Sequence, residues 1–329
     1  MAVIGIDIGG TKTAVLRAEI GSDGGVTIEK AGVFPTFHDK AEPEKCPYDT
    51  LNEALRLVEK LRATSCTPIT RIGVSCGGPL DERKGLIMAP PNLPEWVDFP
   101  VVKYLEDNTG IETVLRNDAN ACALAEWKYG AGKGFSDVVF LTFGTGFGAG
   151  VISGGRLISG ATGGAGEIGH VRATPDRFGI LPWGYGVNGS YEGYCSGGGI
   201  KQIGRFFAEK ALKEGKPTQF CRSEGELDLI TAKKIAEAAG QGDETALFIL
   251  RMSGEYLGEA SAVLCDLFNP ERIIVGGIYA RCRGFMEKYA KETLSKHALP
   301  SAAACCEIVP SALGESVGDY SCVAAAYDM

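Results

Sequence analysis

Two stretches of the chain share one pattern, in which an apolar strand runs into a glycine-rich turn and a second apolar strand follows. Residues 3–8 are mainly apolar, and the pair Gly9-Gly10 precedes a second apolar run at residues 13–18. Residues 138–153 repeat this order around a turn with alternate glycines. Short apolar runs bounded by glycine turns predict buried β-strands. The sequence therefore predicts two domains built on a common plan.

Helical periodicity occupies much of the remaining chain. Thr50 and Glu53 have the spacing of a capping box, so a first helix is predicted to begin at Thr50. Further helices are predicted over residues 102–108, 118–129, 198–214, 231–239, 244–268, 285–295 and 316–327, and further strands over 26–34, 71–76, 113–116 and 272–275. Strands mixed with helices, twice over, predict an α/β fold with two domains and a cleft between them. We assign residues 1–117, joined by a C-terminal helix at about 315–329, to the first domain and 118–314 to the second.

Composition excludes several classes of protein. The chain has 329 residues, 45% apolar and 22% charged, which is a normal balance for a globular protein and excludes wholesale disorder. Its 33 basic and 41 acidic residues give a net charge of 33 − 41 = −8, so no nucleic-acid partner is expected. The 46 glycines are roughly twice the usual share of ~7%. They lie inside apolar runs, which indicates close approach of the backbone to a ligand.

The cysteines and the N-terminus indicate a cytoplasmic protein. There are 11 cysteines, an odd number, with no C-x-x-C pair, and only Cys305 and Cys306 are adjacent. This pattern predicts neither a disulfide framework nor a structural zinc site. The first residues lack the basic region of a signal peptide, and no apolar stretch reaches the roughly 18 residues of a membrane span. We therefore expect a cytoplasmic location and no membrane partner.

Two glycine-rich turns are candidate phosphate-binding loops. In residues 7–12, two glycines let backbone N–H groups approach phosphate oxygens, a threonine adds a hydroxyl, and Asp7 suits a water-bound Mg²⁺. Residues 141–150 carry four alternate glycines and two threonines. Each loop alone also fits an ordinary hairpin, but one in each half favours a phosphate site shared by both domains. No P-loop is present, and G-x-G-x-x-G matches at residues 164–169 and 184–189 follow no predicted strand, so we interpret both as chance.

Acidic and imidazole side chains near strand ends and glycine turns are candidate catalytic and polyol-binding groups. Asp118 lies where a predicted strand meets a predicted helix, the edge at which open α/β sheets bind ligands. It fits a general base for a hydroxyl that attacks phosphorus, and it also fits a plain helix N-cap. Glu167 and His170 share a glycine-rich segment, which favours hydrogen bonds to a polyol. His38 and His297 have no such neighbours, and we interpret both as surface residues.

Taken in order, these motifs resemble the ROK family (repressors, open reading frames, sugar kinases) of the actin-like, ribonuclease-H-like ATPase superfamily. The likeness runs over essentially the whole chain. It rests on residues 7–12, 77–79 with 92–96, 117–120, 144–148, 166–170 and 274–277. The resemblance implies two ribonuclease-H-like domains with an active site in the cleft between them. It also implies ATP-dependent phosphorylation of a hexose, with the 6-hydroxyl as the first candidate acceptor, by a homodimer.

The resemblance also implies roles for single residues. Asp118 is the expected catalytic base, and Asp7 is expected near Mg²⁺. The expected sugar-binding residues are Gly78, Asn92, Asn117, Asp118, Glu167, His170 and Glu192. The expected ATP-binding residues are Asp7, Gly9, Gly10, Thr11, Lys12, Gly144, Thr145, Gly146, Gly276 and Gly277, the last two beside the adenosine. Phosphoryl transfer needs positioning and charge neutralisation, which two loops and a metal ion supply.

One segment departs from the family pattern. Many members carry C-G-C-G-x-x-G-C-x-E, whose three cysteines bind zinc together with the motif histidine. Here Trp183, Tyr185 and Ser190 stand at the cysteine positions, while the glycine spacing and Glu192 are kept. We therefore expect no zinc site. Tyr185 or a backbone carbonyl is a candidate to orient His170 in place of the metal.

Three functions compete for this sequence, and a sugar kinase is favoured. A sugar-sensing repressor would need a helix-turn-helix segment before the first glycine loop, which begins within the first ten residues of an acidic chain. A binding protein without turnover is disfavoured by Asp118 together with both loops. Glucose, mannose, fructose, allose and N-acetylated hexosamines stay open as substrates, because shared hydroxyl contacts do not reveal the surrounding groups.

Overall fold

The computed structural model of the protein describes residues 1–21, 24–174 and 179–327. Asp328 and Met329, which end the predicted C-terminal segment, lie outside the described residues. Within the described ranges, none of the helices is both long and apolar enough to cross a membrane.

The first half of the chain forms a five-stranded mixed sheet with helices packed on it. Its elements are β1 (Ala2–Ile8), β2 (Lys12–Ile20), β3 (Val26–Pro35), α1 (Cys46–Thr64), β4 (Ile69–Cys76), β5 (Leu80–Asp81), β6 (Leu86–Ile87), α2 (Val101–Thr109), β7 (Glu112–Asn117) and α3 (Asp118–Tyr129). The strand order is β3-β2-β1-β4-β7. β1, β2 and β3 are antiparallel neighbours, whereas β4 and β7 run parallel to β1. The carboxyl ends of three strands therefore meet at one edge.

The second half repeats this arrangement. Its elements are β8 (Val138–Phe143), β9 (Phe147–Ser153), β10 (Arg156–Leu157), β11 (Trp183–Gly184), β12 (Val187–Asn188), α4 (Tyr191–Tyr194), α5 (Gly197–Lys213), α6 (Ala232–Gly240), α7 (Glu244–Phe268), β13 (Arg272–Val275), α8 (Ile278–His297), α9 (Pro300–Cys305) and β14 (Glu307–Pro310), before α10 (Val317–Ala326) ends the fold. The strand order is β10-β9-β8-β13-β14. β8 is antiparallel to β9 and parallel to β13, as β1 is to β2 and β4.

The central strand β1 is buried on both faces of the first sheet. Successive side chains of a strand point to opposite faces, so Ile6 packs in one cluster with Val58 of α1, while Val3 packs in another with Cys322 of α10. A β-carbon on Gly73 of β4 would collide with the carbonyl of Cys322. Glycine at this position therefore lets α10 lie directly on the sheet.

Internal contacts divide the chain into two units. Unit 1 comprises residues 1–133, 157–165 and 315–329, and unit 2 comprises residues 134–156 and 166–314. This division differs from the predicted boundary after residue 117. The reason is that α3 packs on α10 and β7, both of which belong to unit 1.

Three local features differ from the sequence predictions. α1 begins at Cys46, so Thr50 lies inside the helix and donates a hydrogen bond to the Cys46 carbonyl at 2.9 Å. The capping-box interpretation of Thr50 was therefore wrong. α8 begins at Ile278, about two turns before its predicted start. The short elements β5, β6, β10, β11, β12, α4, α9 and β14 were not predicted, because segments of two to six residues carry too little periodicity.

Candidate functional site

The carboxyl edge of the first sheet gathers predicted residues of unit 1. Ile8 at the end of β1 lies level with Cys76 at the end of β4, and Cys76 lies level with Asn117 at the end of β7. The first glycine loop, the Gly77-Gly78 turn and Asp118 each follow one of these strands directly. Parallel register thus places three separate motifs at one edge, where α/β sheets commonly bind ligands.

The first glycine loop, residues 9–12, makes a tight turn between β1 and β2. The backbone N–H of Gly9 donates to the carbonyl of Lys12 at 3.0 Å. The hydroxyl of Thr36 donates to the carbonyl of Gly9 at 2.6 Å. Thr11 and Lys12 are exposed at the turn. The loop therefore has a fixed shape and presents a hydroxyl and an ammonium group, both suited to phosphate oxygens.

Gly10 joins this loop to a second loop of unit 1, residues 92–96. A β-carbon on Gly10 would lie 2.7 Å from the carbonyl oxygen of Asn92, so the contact has room for glycine alone. The imidazole of His38 lies at the same place, 2.6 Å from the carbonyl oxygen of Gly10 and 3.1 Å from the carboxylate of Glu95. His38 is exposed, as predicted for a surface residue, but the expectation that it has no functional neighbours was wrong.

Asp7 on β1 lies among other charged groups. Burial raises its pKa to about 7, with smaller contributions from the carboxylates of Asp118 and Asp319, which outweigh those of Lys12 and Lys30. A cation beside Asp7 would relieve this repulsion, and carboxylate, phosphate and water oxygens are the ligands that Mg²⁺ prefers. The described residues contain no group of three or more His, Cys, Asp or Glu able to hold a metal ion by themselves. Asp7 therefore fits a Mg²⁺ ion that arrives with a phosphate ligand.

Asp118 is the first residue of α3, and Asn117 is the N-cap. The side-chain oxygen of Asn117 accepts from the backbone N–H groups of Ala119 at 2.9 Å and Asn120 at 3.4 Å. One oxygen of Asp118 accepts from Ala119 at 2.8 Å. The surrounding protein withdraws water from this carboxylate and raises its pKa, although the side chain stays accessible at the sheet edge. Asn117 therefore serves as the N-cap that the sequence analysis considered for Asp118. The second carboxylate oxygen of Asp118 can accept from another partner.

Glu82, which the sequence analysis did not select, holds the start of α3 in place. Its carboxylate is only 4% exposed. One oxygen accepts from the backbone N–H of Asn117 at 2.7 Å and from the side-chain amide of Asn120 at 3.2 Å, and the other lies 3.5 Å from the guanidinium of Arg116. A buried carboxylate bound by several donors fixes the backbone beside the candidate base. The available sequence signal was an acidic residue shortly after the Gly77-Gly78-Pro79 turn.

Three predicted sugar-binding residues, Gly78, Asn92 and Asn117, lie in unit 1. A β-carbon on Gly78 would lie 3.1 Å from the side-chain nitrogen of Asn117, so Gly78 leaves this amide accessible. Asn92 begins a loop whose Leu93 and Trp96 are buried in the core of the unit. The loop therefore presents a polar residue from a rigid base.

The second glycine loop, residues 144–147, is held by Glu192 within unit 2. The backbone N–H of Phe147 donates to a carboxylate oxygen of Glu192 at 3.0 Å. A β-carbon on Gly146 would lie 2.8 Å from the same oxygen, and Thr145 at the tip is exposed. Glu192, a predicted sugar-binding residue, thus contacts the loop predicted to bind phosphate.

Glu167 and His170 lie at a short 3₁₀ turn of unit 2, residues 168–170, and both are exposed. The backbone N–H of His170 donates to the carbonyl of Glu167 at 3.1 Å. The ring of Tyr185 meets the imidazole edge to face, with the two centroids 6.0 Å apart. Tyr185 has a left-handed backbone with φ of +38°. The contact places an aromatic ring beside His170, and its role in orienting that ring stays a prediction.

Gly276 and Gly277 join β13 to α8 beneath the second glycine loop. The N–H of Gly276 donates to the carbonyl of Leu141 at 2.9 Å. Gly277 has φ of +66°, a conformation that favours glycine. A β-carbon there would collide with the carbonyl of Phe143 and lie 3.4 Å from the nitrogen of Gly144. The start of α8 therefore packs against the base of the loop.

The structure brings the predicted residues together in two groups. Unit 1 holds Asp7, Gly9, Gly10, Thr11, Lys12, Gly78, Asn92, Asn117 and Asp118, and unit 2 holds Gly144, Thr145, Gly146, Glu167, His170, Glu192, Gly276 and Gly277. Each group combines a glycine loop with side chains that hydrogen-bond polar ligands. This chemistry suits phosphate and hydroxyl groups.

The chain is similar in sequence and fold to known sugar kinases. It is 31% identical to the glucokinase of Halalkalibacterium halodurans over 317 residues, which cover 96% of this chain and 92% of that protein. It is 33% identical to the N-acetylmannosamine kinase of Escherichia coli over 287 residues, which cover 87% and 86%. The crystal structure of a ROK family glucokinase from Streptomyces griseus in complex with glucose and AMPPNP superposes with a TM-score of 0.76 at 28% identity and covers 100% of both chains.

These likenesses agree with the strand order and with the motifs. The predicted α/β fold of the actin-like ATPase type is confirmed by the repeated five-stranded sheets and by the solved neighbours. The sequence profile of the ROK family matches residues 3–325, nearly the whole chain. The protein belongs to the ROK family.

Proposed function

We propose that the protein is an ATP-dependent sugar kinase that transfers a phosphoryl group to a hydroxyl of a hexose, with the 6-hydroxyl as first candidate. The observation that carries this proposal is the position of Asp118. Its carboxylate lies at the same sheet edge as the first glycine loop, and Asn117 takes over the capping of α3. The glucokinase and N-acetylmannosamine kinase relatives support this class of reaction.

Asp118 acts as the general base in this proposal. A sugar hydroxyl is a poor nucleophile until its proton is accepted while the new P–O bond forms. The proton passes to the Asp118 carboxylate, the phosphoryl group leaves the terminal position of ATP, and ADP departs. The raised pKa of Asp118 makes it a stronger proton acceptor than an ordinary aspartate. Glu82 fixes the backbone at Asn117, the residue before this base.

The two glycine loops hold the phosphate groups of ATP. Thr11 and Lys12 offer an exposed hydroxyl and an exposed positive charge, and Thr145 offers an exposed hydroxyl. Mg²⁺, when bound, neutralises charge on the phosphate oxygens, and Asp7 would hold it through water. Gly276 and Gly277 lie beside the adenosine. The AMPPNP complex of the Streptomyces griseus glucokinase supports ATP as the phosphoryl donor.

The sugar is held by hydrogen bonds from the residues for which the family resemblance implies this role. They are Gly78, Asn92, Asn117, Glu167, His170 and Glu192. Glucose is the first candidate substrate, supported by the glucokinase relatives and the glucose complex. N-acetylmannosamine is the second, supported by a relative that is 33% identical over 87% of this chain.

Two further proposals concern the setting of the enzyme. All 11 cysteines are free, which fits a reducing compartment and supports a cytoplasmic location. A homodimer is proposed from the family resemblance alone. Analytical ultracentrifugation of the purified chain measures this state directly, and a monomer across the working concentration range contradicts it.

The function is tested by ADP release in a coupled assay with ATP and Mg²⁺ over a panel of sugars. The panel contains glucose, mannose, fructose, allose, N-acetylglucosamine and N-acetylmannosamine, and NMR of the product locates the phosphate. We expect sugar-dependent ADP release with one preferred hexose and a 6-phosphate product. Sugar binding by calorimetry without sugar-dependent ADP release would contradict the kinase and support a binding protein.

A further inference from the structure

The imidazole of His38 bridges two loops of unit 1. Its Nε2 lies 2.6 Å from the carbonyl oxygen of Gly10, and its Nδ1 lies 3.1 Å from both carboxylate oxygens of Glu95. The Glu95 side chain is 11% exposed and the His38 side chain 37%. Two residues earlier, the hydroxyl of Thr36 donates to the carbonyl of Gly9. The segment that carries His38 is therefore held to the first glycine loop at two points.

Both partners of the His38 ring are pure acceptors, which determines the charge of the ring. A carbonyl oxygen and a carboxylate have no hydrogen to donate, so both contacts are satisfied only when each ring nitrogen carries a proton. The hydrogen bond to Gly10 raises the pKa of His38, partial burial opposes this, and Glu95 raises it further. Other charged groups on the three segments that meet here are Asp39, Lys40, Lys12 and Asp98.

The loop that contains Glu95 is anchored in the core by two buried side chains. Leu93 and Trp96 are buried in the core of unit 1, and the carbonyl of Asn92 faces Gly10. At Glu95 the loop contacts a polar side chain from another segment, the imidazole of His38. A movement of the first glycine loop at Gly10 would therefore be transmitted to Asn92 both directly and through His38 and Glu95.

We propose that protonated His38 is a positioning residue that joins the first glycine loop to residues 92–96, so that the phosphate-binding and sugar-binding elements of unit 1 keep one geometry. We call Gly10, His38 and Glu95 the histidine clamp. This inference rests on the proposed function of the two loops. Asp118 lies on α3, outside the clamp, so loss of the clamp weakens the affinity for both substrates and leaves the proton-transfer chemistry in place.

The sign of the pH dependence follows from the raised pKa of His38. Protonated His38 stabilises the clamp fully below the ordinary pKa of histidine, about 6.5. This stabilisation is lost as the pH rises through the raised pKa of His38. Above that pH the ring keeps one hydrogen and satisfies one partner. The KM values of the wild-type enzyme for ATP and hexose should therefore rise together with pH.

The charge state is tested by NMR titration of the full chain without substrates. The signal of His38 is identified by its loss in His38→Gln. We expect His38 to titrate above about 6.5 and to shift down in Glu95→Gln, which keeps an acceptor but removes the charge. A His38 pKa at or below the ordinary value, or one unchanged in Glu95→Gln, overturns the clamp. This measurement needs no kinase activity.

The functional part is tested by kinetics of His38→Gln and Glu95→Gln, with His297→Gln as the matched control on an exposed histidine of unit 2. We expect KM for ATP and for the hexose to rise roughly tenfold at pH 7 with kcat nearly unchanged. In the double variant His38→Gln/Glu95→Gln, KM should be no higher than in either single variant, because both substitutions break the same histidine clamp. Equal KM values in His38→Gln and the control overturn the inference. A wild-type enzyme that phosphorylates no sugar would instead refute the proposed function, and the titration would still decide the clamp.

Discussion

At the scale of single residues, a substitution of Asp118 distinguishes a catalytic role of its carboxylate from a helix-capping role. Asp118→Asn keeps the shape of the side chain but cannot accept a proton, so we expect kcat to fall by roughly 10²–10⁴ with KM for sugar little changed. Because Asn117 caps α3, the melting temperature should stay near that of the wild type. The control is Asp107→Asn, an exposed aspartate paired with Lys103. A stable variant with normal kcat would remove Asp118 from the mechanism.

Asp7 is a second residue whose charge has a measurable consequence. Its pKa of about 7 in the folded protein lies above the ordinary value of 3.8. Folding is therefore favoured by the protonated form, and this stabilisation is lost as the pH rises through 7. Asp7→Asn removes the titration. At pH 5 the unfolded wild-type chain already ionises Asp7 while the folded protein keeps it protonated, and at pH 8 the folded protein bears the full cost of the buried charge. We therefore expect the Tm of Asp7→Asn to exceed that of the wild type by a larger margin at pH 8 than at pH 5, with each kcal/mol of the gain worth roughly 2–4 °C or less in a chain of this length.

The measurement is thermal unfolding without Mg²⁺ at both pH values. Asp319→Asn is the informative comparison, since removing one repelling carboxylate should give part of the same gain. A Tm difference between Asp7→Asn and the wild type that is equal at pH 5 and pH 8 would show that Asp7 does not titrate in this range.

At the scale of elements, the start of α3 depends on Glu82. Glu82→Gln exchanges an acceptor for a group that also donates, so the contacts to Asn117 and Asn120 weaken. We expect kcat to fall roughly tenfold and the melting temperature to fall by a few degrees. The control is Glu106→Gln on α2, whose carboxylate accepts from the backbone of Thr113. Loss of stability without loss of kcat would assign Glu82 a purely structural role.

The second glycine loop offers a clean test of backbone access to phosphate. A β-carbon on Gly144 meets only the hydroxyl of Thr142 at 3.9 Å, whereas one on Gly10 would collide with Asn92. Gly144→Val should therefore fold normally while its side chain covers the loop, and we expect KM for ATP to rise at least tenfold, on the order of one lost charged hydrogen bond. Gly240→Val, on α6 with open space around it, is the control. Normal use of ATP by Gly144→Val would exclude Gly144 from the phosphate site.

At the scale of the whole molecule, the two five-stranded sheets share one strand order. In each sheet the first two strands form an antiparallel pair joined by a glycine turn, and a parallel strand lies on the other side of the first strand. The second half contains the segment in which Trp183, Tyr185 and Ser190 replace cysteines of the family motif. Trp183 and Tyr185 are exposed, and Ser190 is buried and caps α4. The segment is thus built as a hairpin followed by a capped helix.

From this arrangement we expect the purified protein to carry no stoichiometric zinc, because His170 alone is a poor zinc site. Elemental analysis of the full chain checks this, and a sample dialysed after addition of zinc serves as the control for weak surface binding. Kinase activity should also survive treatment with a zinc chelator in the presence of excess Mg²⁺. About one zinc per chain that persists through dialysis would contradict the expectation.

The local pattern of the sequence determined the elements that are long and periodic. The helices predicted at 118–129 and 244–268 agree with Asp118–Tyr129 and Glu244–Phe268, and the strand at 272–275 agrees with Arg272–Val275. Glycine turns after apolar runs likewise indicated both loops, and the junction between a predicted strand and a predicted helix indicated the placement of Asp118. These features are set by neighbours within a few residues of one another, so hydrophobic periodicity is enough to reveal them.

Only the tertiary structure decided which distant residues meet. Glu82 and Asn117 are 35 positions apart, Gly10 and His38 are 28 apart, and His38 and Glu95 are 57 apart. No periodic pattern connects such pairs, because their contact depends on parallel strand register and on loops that return to one sheet edge. Sequence alone therefore located the loops and the candidate base, whereas the buried carboxylate behind the base and the histidine between the loops became visible only when the chain was folded.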